Sequence, residues 1–124
     1  MKYLANFFVL LLLSFSSVAF ASCDGSDKAK ENAFLVLHAV DWWQTTKTVI
    51  EHPDQFEDAN IIIGSHPSKL KFNLYMTGAA LLQHNLACNY FKKGNARNFF
   101  QNVTLGIKIG TVYSNWQLMA KTDF

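Results

Sequence analysis

His38 and Asp41 stand three residues apart, the spacing that puts an imidazole and a carboxylate on one face of a helix, one turn from each other. Such a pair can orient a histidine or form half of a metal site. His84, Lys108 and Asn115 lie far along the chain, but each sits on a stripe of polar residues that recurs at helical spacing. If the stripes meet, Asp41 and Lys108 form an ion pair in which opposite charge keeps both ionised, whereas burial alone would neutralise each. Asp41, His84 and Lys108 are then the catalytic candidates, with Asp41 and His84 as acid and base and Lys108 as their electrostatic partner. The Asp41–Lys108 pair also reads as a tether between helices. No Cys or His pair has the spacing of a known zinc motif, so no metal and no cofactor are expected. Gly-x-Ser-x-Gly and phosphate-binding glycine loops are missing too.

The elements that would carry these residues are three amphipathic helices. The first is expected from about Lys28 to His52, with Asp27 as a cap and Pro53 as its stop. Its polar stripe is His38, Asp41, Thr45, Thr48 and His52. The second runs from about Pro67 to Phe91, with Asn73, Thr77, His84 and Cys88 on its stripe. Lys92-Lys93-Gly94 suits its C-terminus. The third runs from about Asn95 to Met119 and carries Arg97, Gln101, Thr104, Lys108, Thr111 and Asn115. Alternation of Val103, Leu105, Ile107 and Ile109 offers a strand instead, but the three-four stripe covers more of the segment. Gly106 and Gly110 weaken the helix and would let another helix approach closely.

Upstream, Lys2 and the apolar run Phe7 to Val18 precede Ala19-Phe20-Ala21, the pattern of a secretory signal. Residues 1–21 are therefore read as a signal peptide, with a retained anchor as an alternative. A lipoprotein signal ending before Cys23, the lipidation candidate, is another. Residues 22–124 form a single helical domain, and the fold class is all-α: an N-terminal apolar helix followed by a three-helix bundle. Without the signal the mean hydropathy falls to about −0.3, an ordinary soluble value. A net charge of +2 gives no reason to expect nucleic acid. Export permits a disulfide between Cys23 and Cys88, although Cys88 also reads as a small buried residue.

Two orientations of the bundle are open. In water the polar stripes face outward. In a membrane the apolar faces meet lipid, and His38, Asp41, His84, Lys108 and Asn115 share an interior. A regular three-span arrangement puts the acidic Asp54–Asp58 loop inside and Lys92, Lys93 and Arg97 outside, against the positive-inside rule.

Three stretches resemble a known family: Asp41-Trp42-Trp43-Gln44-Thr45, then Asn60 to Ser68 with Gly64, His66 and Pro67, then Asn73-x-Tyr75. Val112-Tyr113-Ser114-Asn115 completes the pattern. The family is one of small bacterial and phage-associated envelope proteins of uncharacterised activity. Its signature is roughly D-W-x-Q-T, E-x-N-P-x-x-G-x-H-P-S and a late V-x-x-N. Ile61 stands where that pattern has proline, and Asp58 where it has glutamate. Gly110 is a further candidate departure, from an acidic residue. The resemblance implies a compact helical envelope protein and no particular activity. Read for themselves, Asn60, Gly64 and Pro67 are loop architecture, and His66 is left unexplained.

The expected protein is exported to the periplasm or inner membrane of a bacterium. It is membrane-associated and has a structural or interaction role, with another envelope protein or its own copy as partner through Gly106 and Gly110. The alternatives are a membrane enzyme with a polar interior and a prophage-encoded envelope or lysis accessory.

Overall fold

The computed structural model describes residues 23–122. The signal peptide or anchor expected over residues 1–21 lies outside the described residues. Three helices make up the fold: α1 (Gly25–Thr45), α2 (Lys69–Asn85) and α3 (Asn95–Ala120). The first two each run on into one π-helical turn, Thr46–Ile50 and Leu86–Tyr90. The strand alternative for Val103 to Ile109 is excluded, because that stretch is helical throughout. Its alternation spans under two turns, and the longer polar stripe decides the register.

Several boundaries move from their sequence-based positions. Helix α1 begins earlier, with Asp24 at its cap position; Asp27 is inside the first turn and buried. Helix α2 begins later, because Ser68 is the cap and its hydroxyl accepts from the Lys71 amide at 3.1 Å. Gly94, with φ of 134°, precedes α3 and is not the left-handed close of α2.

Helices α1 and α3 run parallel, as the ascending pairs Asp27–Arg97, Asp41–Lys108 and Gln44–Val112 show. Helix α2 runs antiparallel to α1, since Glu31 meets Gln83 while Trp42 meets Asn73. Between α2 and α3 the chain turns in a few residues, and there the two are held together by Gln83 donating to Thr104 at 2.9 Å.

The Cys23 and Cys88 sulfurs are bonded to each other, joining the start of α1 to the end of α2. This corrects one expectation and adds to another. A sulfur in a disulfide cannot carry a thioether-linked lipid, so in this fold Cys23 is a crosslink and not a lipidation site. Cys88 is buried, as expected, but as the other half of that crosslink.

Apolar clusters are small. Ala87 and the disulfide pack against Phe100 at one end. Ile63, Phe72 and Met76 pack with Trp42, Ile50 and Tyr75 at the other. Ile61 to Ile63 make no strand. They form a turn in which Asn60 Oδ1 accepts from the Ile62 amide and Asp58 Oδ1 from the Asn60 amide, both at 2.9 Å. Gly64 takes φ of 84°, a conformation that would strain a side chain, and its amide closes onto the Asn60 carbonyl. Pro67 leads into the α2 cap, and His66 is exposed. The loop motif is thus architecture that delivers Ile63 to the core.

Gly106 and Gly110 pack against nothing: a Cβ on either would meet no atom within 4 Å. The close approach they were expected to allow does not occur within the described chain. Among the described residues no helix is long and apolar enough to cross a membrane.

Candidate functional site

The polar stripes face one another. Glu31, Gln44 and Gln101 are at most 1% exposed, whereas Val36, Ile107 and Trp116 are each more than 60% exposed. Of the two orientations left open by periodicity, the described bundle takes the one with a polar interior. The stripe of α1 supplies the carboxylates, and α2 and α3 bring a base to each.

At the first level Arg97 donates from Nη1 to Asp27 at 3.1 Å, from Nη2 to the Cys88 carbonyl at 3.0 Å and from Nε to the Phe91 carbonyl at 3.0 Å. The guanidinium therefore neutralises a buried carboxylate and also closes the carbonyl end of α2, using its fixed fork of donors. At the second level Glu31 accepts from Gln83 at 3.3 Å and Gln101 at 3.1 Å, with His84 Nδ1 3.6 Å from its other oxygen.

The third level is the one expected from sequence. Lys108 Nζ lies 2.6 Å from Asp41 Oδ2, and Asn115 donates to Oδ1 at 3.0 Å. The Thr45 hydroxyl adds a contact to Oδ1 at 3.3 Å. Lys108 also lies 5.8 Å from the centre of the Phe34 ring. Next to this level Gln44 donates to the Val112 carbonyl at 3.2 Å, and the Trp42 indole donates to Asn73 at 2.9 Å. The D-W-x-Q-T stretch is therefore the seam of α1 with both other helices.

The pairing of Asp41 with His84 as acid and base does not form. His84 sits beside Glu31, ten residues from Asp41 and so about 15 Å along the helix. Asp41, already holding three donors, is a hub of the interior rather than a poised base. Among the described residues no three of His, Cys, Asp and Glu come together as a metal requires.

His38 is buried between these levels and bonded to the Met76 carbonyl at 2.7 Å. A carbonyl only accepts, so Nε2 carries the proton and the neutral ring has a bare Nδ1. Burial, and then the Lys108 ammonium, hold its pKa below the ordinary imidazole range. The unfolded chain takes up a proton near pH 6.5, where the folded chain does not. This contribution to stability is whole above about pH 6.5 and is lost as pH falls below it. His38→Gln keeps a donor for Met76. It should shrink the fall in urea midpoint between about pH 7 and 5; an unchanged pH profile would assign that fall to other groups.

Asp27, Glu31, Arg97, Gln101, Gln83 and Thr104 complete the site. The first two were legible as a backward extension of the α1 stripe, with Glu31 seven residues before His38 and Asp27 four before Glu31. Helix capping at the chain start masked them. Compared with known proteins, the chain matches no family model, and no curated protein or solved structure is significantly similar to it.

Proposed function

We propose that this is a small exported helical protein that associates with the bacterial envelope membrane through its outer faces and has a structural or interaction role. The observation that supports this is the inverted polarity. Charged and amide side chains occupy the interior, while Val36, Trp43, Ile107, Ile109, Tyr113 and Trp116 are exposed. Exposed large apolar side chains in this number suit contact with lipid or a partner. Helices with one polar and one apolar side can lie in the interface without spanning, which avoids the loop-charge conflict of a three-span topology. Carbonate extraction of membranes holding the exported chain, with protease mapping, tests the assignment. The chain should stay in the pellet; complete release into the supernatant would refute membrane attachment.

Gly106 separates an interaction surface from a purely intrachain role. Nothing in the bundle lies near it, so Gly106→Leu should leave the fold intact and even stabilise the helix by about 0.5–1 kcal/mol. Crosslinked association with a partner or a second copy should fall at the same time. Unchanged crosslinking would remove this face from the proposal.

A further inference from the structure

All three helices and the loop before α2 border a groove of about 970 Å³ along the bundle, with the polar stripe of α1 as its floor. Its volume is in the range of small-molecule sites. The two ends differ. Toward the α2–α3 turn the walls are apolar: Ala79, Leu82 and Leu86 on one side, Phe100 and Ile107 on the other. The polar pair Gln83 and Thr104 at that end is satisfied internally. Toward the long loop the lining is mixed and gains carboxylates: Glu57 and Asp58 stand with Thr48, Ser114 and Asn115 beside Val49, Phe56 and Leu118.

Charge decides which head group fits. The lining holds three carboxylates, Asp41, Glu57 and Asp58, against one ammonium, Lys108. That ammonium is committed to Asp41 at 2.6 Å. The charged groups left at the loop end are therefore both carboxylates, Glu57 and Asp58.

We infer that this groove binds an amphiphile with a single alkyl chain and an ammonium head, the chain along the apolar walls and the head at Glu57 and Asp58. The inference needs only the groove and is independent of membrane attachment. A lipid-free chain that fails to pellet with membranes could still bind.

Calorimetric titration of the full chain with decylammonium, decanol and decanoate, each below its aggregation threshold, tests it. Decylammonium should bind with one-to-one stoichiometry and about tenfold more tightly than decanoate. The double variant Glu57→Gln/Asp58→Asn should erase that preference. Asp58→Asn retains the oxygen that accepts from the Asn60 amide, so the loop is preserved. Ala79→Trp should block all three ligands; if circular dichroism shows it unfolded, Thr111→Trp on the opposite wall gives the same reading. Equal affinities, a preference for decanoate, several molecules bound per chain or a preference that survives the double variant would each overturn the proposal. So would undiminished binding with the groove blocked, or no binding at all.

Discussion

Asp41→Leu should destabilise the bundle by about 3–5 kcal/mol in urea unfolding, and Lys108→Met by a similar amount. Each single change strands a buried charge: the Asp41 and Lys108 side chains are 10% and 15% exposed. Asp41→Leu also leaves the Asn115 amide without its acceptor, which adds a lost hydrogen bond. The double variant should recover most of the loss, because replacing a buried pair by apolar groups of similar size is often neutral. The signature is thus a strongly non-additive cycle. Costs that simply add would mean the two residues act independently, contrary to their 2.6 Å contact.

Breaking the Cys23–Cys88 bond should be of similar size. The cysteines are 65 residues apart in sequence, and releasing a loop of that length from the unfolded chain costs about 4 kcal/mol of stability. For a domain this small that corresponds to a Tm lower by about 15–30 °C. The effect should be near its upper range because α1 and α2 are otherwise joined by a few side-chain bonds, at Glu31, His38 and Trp42. Thermal melts with and without reductant, repeated on Cys23→Ser/Cys88→Ser, measure it. Coincident melts would show that the bond constrains nothing the helices do not already hold.

Much of this architecture was legible in the residues. Three- and four-residue steps located all three helices, and Asp41 and Lys108 could be matched because each was the prominent charge on its stripe. The orientation was not legible. Amphipathicity fixes the axis along which a helix is polarised but not its sense, and either face can be buried if the other suits its surroundings. The partners of Asp27 and Glu31 were hidden for another reason. Acidic residues in a first turn are sufficiently explained by the helix dipole, so nothing marked them as ion-paired with a later helix. The π-helical turns have no residue signature comparable to proline or glycine. They move Thr48 and Cys88 relative to an ideal helix, which displaced the expected ends of α1 and α2. The turn chemistry of Asn60 and Gly64 was read correctly, whereas Pro67 precedes the Ser68 cap instead of starting the helix, and the exposed His66 has no structural role that the described contacts explain.

The order in which the charge partners appear along the chain has a consequence for synthesis. Helix α1 carries three of the carboxylates that end up buried, and Arg97 and Lys108 come 70 and 67 residues after Asp27 and Asp41. A ribosome or an exporter that works from the N-terminus therefore delivers α1 long before anything can neutralise it. Its acidic stripe stays hydrated until α3 emerges, and assembly waits for the last quarter of the polypeptide. A chain cut short before Lys108 would leave Asp41 without its ammonium and the growing bundle unsealed.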